Sequence, residues 1–281
     1  MTVKQFRRGE LVFDVVDSGP ADGSVVVLLH GFPQSNASWD AVIPLLTARG
    51  YRCLAPNQRG YSPGARPERR RDYRMTELVD DVAALIDASG AEKVHLVGHD
   101  AGAGMGWVFA ANHPDRLHTF TALSTPHPTA FKNAILTSRQ GITSWYIYFY
   151  QLPRIPEWYY LGRRGDASRL SRYMQAGGQS PVLADRDASA MAEPGTLTAS
   201  MNWYRALSWS DKIGQTTVPT MYVWSDSDKW VLDKAARNTG RYVSGQYRFE
   251  ILHGTSHWIP EEQPDTVARL LLEWLETHSS P

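Results

Sequence analysis

Short apolar runs and longer amphipathic stretches alternate along most of the chain. The apolar runs are β-branched or aromatic in character, and each ends near Gly, Asp, Asn or Ser, which is typical of buried strands. They cover residues 25–31, 51–57, 93–99, 117–125, 218–226 and 247–254. The amphipathic stretches carry apolar residues at helical spacing and cover 75–89, 104–114 and 264–278. This alternation predicts an α/β fold with a mostly parallel sheet and helices on both faces.

A hairpin is expected before the first buried run. The segment FRRGEL places a glycine ahead of ELVFDVVDSG, whose residues suit a strand. A glycine between two such stretches is a turn signal, so the first strands are expected to pair through a tight connection.

Residues 127–213 depart from the alternation. They show no clear strand pattern, are dense in Trp and Tyr, and include helix-like segments such as NAILTSRQGITSWYIYFYQ. We therefore expect a first core part at 1–126, a helical cap at 127–213 and a second core part at 214–281. Because open α/β sheets bind ligands beyond the carboxyl ends of their strands, the cap is expected to cover that end.

Composition excludes some classes of function. The chain has 281 residues, 42% of them hydrophobic, and its 29 basic residues balance 29 acidic ones. An even balance gives no field to attract nucleic acid or an anionic membrane, and no apolar run reaches the roughly 18 residues of a membrane span. The single cysteine, Cys53, excludes an internal disulfide and is expected in the core. We expect a soluble cytoplasmic protein without nucleic-acid or membrane partners.

The stretch GHDAG, residues 98–102, carries the first candidate chemistry. It follows a predicted strand and precedes a helix-like stretch, so Asp100 is expected on a sharp strand-to-helix turn. The strained backbone of such a turn requires neighbours two residues away that are nearly free of side chain, as Gly98 and Gly102 are. The alternative is a capping Asp beside glycines that only serve packing.

Further polar groups follow other predicted strands. HGFPQSNASW follows the first buried run, YVWSDSDKW carries two acids, Asp226 and Asp228, and GTSHWIPEEQPD contains His257. Nucleophile, acid and histidine in this chain order match a hydrolase triad. Taken singly, an Asp after a strand is often a turn former, and a His in a loop is often a packing residue.

Together, HGFP, GHDAG, the acid after the penultimate core strand and SHW before the last helix resemble the α/β-hydrolase fold family. More narrowly, they resemble its epoxide-hydrolase branch, which uses an aspartate nucleophile. The resemblance covers essentially the whole chain and implies the α/β-hydrolase fold with a helical cap insertion. It also favours Asp228 over Asp226 as the triad acid.

The resemblance implies a two-step reaction. Asp100, already ionised near neutral pH, attacks a saturated carbon and forms an alkyl ester. His257, oriented by Asp228, then takes a proton from the water that hydrolyses the ester. Backbone N–H groups of Phe32 and Ala101 are expected to hold the developing oxyanion. The chemistry needs neither a cofactor nor a metal, and the sequence has no zinc-like ligand spacing.

The leaving group distinguishes epoxide opening from dehalogenation. An opened epoxide is an alkoxide, which a neutral tyrosine hydroxyl can protonate. By resemblance, NWYR aligns Tyr204 with one cap tyrosine of epoxide hydrolases, and SWYIYFYQLP aligns Tyr146 with the other. A register shift would put Tyr148 or Tyr150 in place of Tyr146.

A departing halide needs N–H donors instead of a proton. Haloalkane dehalogenases usually carry a Trp after the nucleophile and often an Asn in the first loop, where this chain has Ala101 and Phe32. The sequence therefore favours an epoxide hydrolase that acts on a small apolar epoxide and water. A dehalogenase-like hydrolase and a non-catalytic ligand binder with this fold are the alternatives.

Aromatic residues are expected to shape the substrate pocket. The predicted lining includes Trp39, Phe149, Trp203 and Trp258. The Trp- and Tyr-rich cap could also support a homodimer.

Overall fold

The structure, a computed structural model, describes residues 2–162, 165–208 and 213–278. Within these residues eight strands form one sheet. The strands are β1 (Gln5–Arg8), β2 (Leu11–Ser18), β3 (Val25–Leu29), β4 (Arg52–Pro56), β5 (Val94–His99), β6 (Leu117–Leu123), β7 (Thr220–Ser225) and β8 (Tyr247–Leu252). Each predicted strand is present, one to three residues shorter than its apolar run.

The helices of the described residues fall into two groups. Six lie outside the segment between β6 and β7: α1 (Ile43–Thr47), α2 (Met75–Ser89), α3 (Ala101–Asn112), α11 (Asp233–Asn238), α12 (Ile259–Glu262) and α13 (Pro264–His278). Seven lie within it: α4 (Pro128–Thr137), α5 (Gln140–Thr143), α6 (Trp145–Phe149), α7 (Ile155–Leu161), α8 (Ser168–Ala176), α9 (Pro181–Met191) and α10 (Thr196–Arg205).

The sheet has the order β1-β2-β4-β3-β5-β6-β7-β8. The β1–β2 and β2–β4 pairs are antiparallel, whereas every pair from β4 to β8 is parallel. The predicted hairpin is therefore β1–β2, at one edge of the sheet. A parallel arrangement brings the carboxyl ends of β3, β5, β7 and β8 to the same edge, which is where the candidate residues follow their strands.

Side-chain alternation along the strands gives the molecule two hydrophobic layers. In β3, Val25, Val27 and Leu29 belong to the layer packed against α2 and α3, while Val26 and Leu28 belong to the layer packed against α1 and α13. Successive residues of a strand point to opposite faces, so a run of consecutive apolar residues supplies both layers. The predicted sheet with helices on both faces is confirmed.

Helix α3 begins earlier than its pattern predicted. The amphipathic stretch starts at residue 104, whereas the helix starts at Ala101, directly after the sharp turn. Its first turn contains Ala and Gly, which give little hydrophobic signal, so the pattern could not locate the helix start.

Residues from the segment between β6 and β7 lie over the carboxyl end of β3. The rings of Tyr150 and Tyr204 contact the ring of Phe32, which follows β3, with centroids 5.6 and 5.3 Å apart. The boundaries of the expected cap, 127 and 213, stay a prediction. No helix in the described residues has the length and apolar character needed to cross a membrane.

Cys53 is fully buried in β4. Burial, with a smaller contribution from the charge of Asp17, raises the pKa of its thiol to about 12. It is therefore a small, unreactive core residue, as its apolar surroundings in the sequence indicate.

Candidate active site

Asp100 lies on a backbone turn that a non-glycine residue rarely adopts. Its φ is 50° and its ψ is −119°, between the end of β5 and the start of α3. A Cβ atom at Gly98 would lie 2.5 Å from the Gly102 carbonyl oxygen, and one at Gly102 would lie 2.5 Å from the Leu29 carbonyl oxygen. Both glycines are thus required by close backbone approach. The turn stores roughly 1–3 kcal/mol of strain and presents the carboxylate beyond the sheet edge.

The two carboxylate oxygens of Asp100 have different surroundings. Oδ1 accepts a hydrogen bond from the backbone N–H of Phe32 at 2.9 Å, and Oδ2 lies 3.3 Å from Nε2 of His257. Ala101 is the first residue of α3, where helix geometry leaves the backbone N–H without an intrahelical partner. One oxygen is therefore held by an amide, while the other faces the imidazole.

His257 is held by a buried carboxylate on its other side. Its Nδ1 lies 2.7 Å from Oδ2 of Asp228. The second oxygen of Asp228 accepts hydrogen bonds from the backbone N–H groups of Trp230 at 2.7 Å and Val231 at 3.0 Å. Asp226, the other acid after β7, lies at the surface. The structure thus brings Asp228 to the histidine.

Two polar side chains fix the backbone at His257. Its carbonyl oxygen accepts hydrogen bonds from Ser124 Oγ and His99 Nε2, both at 2.9 Å. Ser124 has a φ of 65° directly after β6. The sequence analysis missed Ser124, and a serine at a strand end is too common to single it out.

The charges of the site stabilise one another. Burial alone would lower the pKa of His257, but the charge of Asp228, followed by the hydrogen bond that the imidazole donates to Asp100, raises it to about 10. Burial alone would raise the pKa of Asp100, yet the hydrogen bond and charge of His257 hold it below its usual value. Near neutral pH the site therefore holds an ionised nucleophile candidate beside an imidazolium.

Two tyrosines from the helices above the sheet face this pair. Tyr146 from α6 and Tyr204 from α10 line the same cavity as Asp100, and their ring centroids are 6.1 Å apart. Neither hydroxyl has a hydrogen-bond partner among the residues that the structure describes. Burial, then the charge of Asp100, raises the pKa of both phenols well above 10. Both are neutral donors, free to bind an oxygen atom in the cavity.

The two tyrosines that follow Tyr146 in the sequence lie outside the cavity lining. Tyr148 is 56% exposed. Tyr150 is buried, and its hydroxyl is 3.3 Å from that of Tyr160. Of the three tyrosines that the register left open, Tyr146 is the one that lines the cavity.

The cavity has a volume of about 430 Å³ and begins at Asp100 and His257. It continues along α3 to Asn112, which is exposed at the molecular surface. The cavity therefore connects the buried charged pair with solvent.

Within residues 2–162, 165–208 and 213–278, no group of three or more His, Cys, Asp or Glu side chains is arranged to hold a metal ion.

Three of the four aromatic residues predicted for the pocket do not line the cavity. Trp203 does, and its Nε1 donates to the Arg59 carbonyl oxygen at 2.8 Å. Trp39 is fully buried in the layer of α1 and α13, on the other face of the sheet. Trp258 is buried behind His257, at a centroid distance of 5.4 Å.

Phe149 is also displaced from the predicted lining. It packs against Trp145 and Tyr159, with centroid distances of 5.6 Å to each, and both neighbours are about half exposed. Aromatic character predicts burial but not which face of an element is buried, and this explains all three errors.

Trp230 is a cavity residue that the sequence analysis missed. Its ring packs edge-on against His257 with centroids 5.0 Å apart, and its Nε1 donates to the hydroxyl of Tyr173 in α8 at 2.9 Å. A Cβ atom at Gly177 would lie 1.9 Å from the Trp230 ring. Trp230 thus joins the histidine to the helices above it, and its position two residues after Asp228 was the available signal.

Comparisons with known proteins agree with this architecture. A family model for the alpha/beta hydrolase fold matches residues 24–264. The AB hydrolase superfamily protein YfhM of Bacillus subtilis is 35% identical over 274 residues, which cover 95% of this chain and 95% of that protein. Epoxide hydrolase A of Mycobacterium tuberculosis is 32% identical over an alignment of 308 positions, which covers 93% of each chain.

A solved structure is similar over nearly the full length. The crystal structure of epoxide hydrolase A from Mycobacterium thermoresistibile has a TM-score of 0.84 and 25% sequence identity, and the match covers 99% of this chain and 98% of that one.

Proposed function

This chain belongs to the α/β-hydrolase fold family and to its epoxide-hydrolase branch, and we propose that it opens an apolar epoxide to a vicinal diol through a covalent ester on Asp100. One observation carries the proposal. The carboxylate of Asp100 has one oxygen on an amide N–H and the other in the cavity beside His257, beneath two tyrosine hydroxyls. In that arrangement the free carboxylate oxygen can attack an epoxide carbon atom while the ring oxygen bonded to that carbon leaves toward the tyrosine hydroxyls.

In the first step Oδ2 of Asp100 forms a bond to one epoxide carbon while the bond between that carbon and the ring oxygen breaks. The departing ring oxygen takes a proton from Tyr146 or Tyr204, because both phenols are neutral and their O–H groups can donate. Oδ1 stays on the N–H of Phe32 and becomes the carbonyl oxygen of the ester. The product of this step is a hydroxyalkyl ester.

In the second step the ester loses its alcohol to water. Esterification removes the negative charge of Asp100, so the pKa of His257 falls. The imidazolium of His257 then gives its proton to the tyrosinate, which restores the neutral tyrosine. Neutral His257 then takes a proton from water, and the hydroxide attacks the ester carbonyl carbon. The oxyanion forms on Oδ1, within reach of the Phe32 N–H and the expected Ala101 N–H. Collapse of this intermediate releases the diol and regenerates the carboxylate.

A halide would find fewer donors at this site. The cavity tryptophans Trp203 and Trp230 both donate their Nε1–H groups to protein oxygens, at 2.8 and 2.9 Å. The tyrosine hydroxyls instead suit an oxygen that must be protonated. Halide release from a haloalkane, without diol formation from an epoxide, would favour the dehalogenase alternative, and neither product would favour a ligand binder.

A single turnover in ¹⁸O-labelled water tests the mechanism. With enzyme in excess over an aryl epoxide, we expect the label in the peptide that contains Asp100, because the diol takes its new oxygen from the unlabelled carboxylate. A label in the diol of the first turnover would show direct attack by water and would remove Asp100 from its role.

The His257→Gln variant provides the second measurement. Ester formation does not require the base, whereas ester hydrolysis does, so this variant should accumulate the ester as a mass increase on the Asp100 peptide. An Asp100→Asn variant is the matched control and should show no mass increase. A His257→Gln protein without the adduct would contradict the two-step mechanism.

A further inference from the structure

The cavity extends well beyond the charged pair, along one face of helix α3. Ala101, Gly104, Val108 and Asn112 all line it, and their spacings of three, four and four residues place them on a single helical stripe. At a rise of 1.5 Å per residue this stripe is about 16 Å long. We call the part formed by Ala101, Gly104 and Val108 the α3 trench.

Gly104 differs from the other glycines of the same helix. A Cβ atom at Gly102 would lie 2.5 Å from a carbonyl oxygen of β3, and one at Gly106 would lie 2.3 Å from the ring of Phe120. Packing against the sheet therefore requires both. Outside its own stretch of helix, a Cβ atom at Gly104 would meet no atom of the described residues within 4 Å, and the backbone there is ordinary helix.

The fold gives no reason for a glycine at position 104. Glycine inside a helix lowers stability relative to alanine, and in the part of the chain that the structure describes no neighbouring atom would be displaced by the larger residue. A side chain at this position would project into the cavity, because Gly104 is part of its lining. The glycine therefore keeps the trench open at the expense of helix stability.

Apolar side chains contribute much of the remaining lining, and the outer end is polar. Ile147 of α6, Phe131 of α4 and Ile213 line the cavity together with the stripe. At the outer end Asn112 and Ser208 are exposed. A ligand lying in the trench would thus bury an apolar chain along about two turns of helix and end near solvent.

We propose that the α3 trench binds a long, unbranched apolar substituent of the epoxide, so that alkyl epoxides with extended chains are preferred over compact ones. This inference rests on the function proposed above and names the substrate class of the same site. The reactive ring lies at Asp100 and the chain runs over Ala101 and Gly104 toward Val108. Each buried methylene is worth up to about fourfold in kcat/KM, from a transfer free energy of about 0.8 kcal/mol.

A series of unbranched terminal epoxides from epoxybutane to epoxydodecane tests the proposal in the wild-type protein. We expect kcat/KM to rise steadily with chain length. For Gly104→Leu, whose side chain fills the trench, the ratio of kcat/KM for epoxydodecane to that for epoxybutane should fall at least tenfold.

The Gly104→Ala variant is the intermediate case. It adds one methyl group to the same backbone position, so its ratio should fall between those of wild type and Gly104→Leu, and its Tm should rise because alanine favours helix. Should Gly104→Leu fold poorly, Val108→Phe narrows the trench one turn further out and should lower the same ratio.

The outcomes separate the two proposals. If the wild-type protein hydrolyses none of these epoxides, the proposed function itself is wrong. If it hydrolyses them without a chain-length preference, or if Gly104→Leu and Val108→Phe keep the wild-type ratio, the epoxide hydrolase remains and the trench inference is overturned.

Discussion

His257 lies between two carboxylates whose charges differ during the proposed reaction. Asp228 is buried and holds Nδ1 throughout, whereas Asp100 contributes its charge only while it is a free carboxylate. The raised pKa of His257, about 10, therefore belongs to the resting site. Once Asp100 is neutral, the pKa of the same histidine falls, so the imidazolium releases its proton more easily and the neutral imidazole can act as a base.

An Asp100→Asn variant imitates that neutral state. It keeps the shape of the side chain and removes the charge and one acceptor, so the pKa of His257 should fall below the value of about 10. An NMR titration of the histidine side chains measures this directly. His127, buried away from the pair with a pKa of about 4, serves as the internal control. An unchanged His257 pKa in the variant would mean that Asp100 does not control the base.

The same residues show how far a sequence predicts a site. The turn at Asp100 was predictable because its backbone demands are local and require glycine at 98 and 102. The choice between Asp226 and Asp228 was not local, since both follow β7. The choice depends on which carboxylate accepts hydrogen bonds from the backbone N–H groups of Trp230 and Val231.

At the scale of elements, α9 is attached to α12 by a buried polar cluster. Glu261 in α12 accepts hydrogen bonds from Gln34, Gln179 and Arg186, and Arg186 also pairs with Asp187 at 2.7 Å. Burial, then the charge of Glu261, raises the pKa of Asp187 to about 7. The cluster joins the helices above the sheet to the loop that carries His257.

Glu261→Gln tests the strength of this attachment. A neutral amide can accept at one atom only, so at least one donor loses its partner, and we expect a loss of about 2–4 kcal/mol in the free energy of unfolding. Urea unfolding measures it. Glu276→Gln is the matched control, because its ion pair with Arg49 is about half exposed and should contribute less than about 1 kcal/mol. Equal losses in both variants would contradict the importance of the buried cluster.

Element positions were largely predictable, and the faces of those elements were less so. A five-residue apolar run such as β3 must supply both hydrophobic layers, which alone indicates a buried parallel strand. Trp39 and Trp258 were placed in the pocket because aromatic residues are buried, yet both pack into the core instead. Only the three-dimensional path of the chain decides between core and cavity.

At the scale of the whole molecule, several histidines are buried in neutral form. Burial lowers the pKa of His30, His99 and His127 to about 4 and that of His95 to about 3. In the unfolded chain these groups titrate near pH 6.5. Between those values the unfolded state binds more protons than the folded state, so acid favours unfolding.

The contribution of these four histidines to stability should therefore be fully present above about pH 6.5 and be lost as the pH decreases toward 4. Each histidine contributes about 1.4 kcal/mol per pH unit in this window, and Asp187, with its raised pKa of about 7, offsets one of the four. Urea unfolding at several pH values, followed by tryptophan fluorescence, measures the slope. His95→Gln, remote from the cavity, should make the slope shallower by about 1.4 kcal/mol per pH unit. A free energy of unfolding that stays constant between pH 6.5 and 5 would contradict this account.

The inert thiol of Cys53 has a practical consequence for experiments on this protein. Because it is fully buried and its pKa is about 12, maleimide reagents at neutral pH would leave it unmodified in the folded state. A cysteine introduced at an exposed position would then be the sole reactive thiol, so a fluorophore or spin label could be attached at one chosen point without first replacing the native residue.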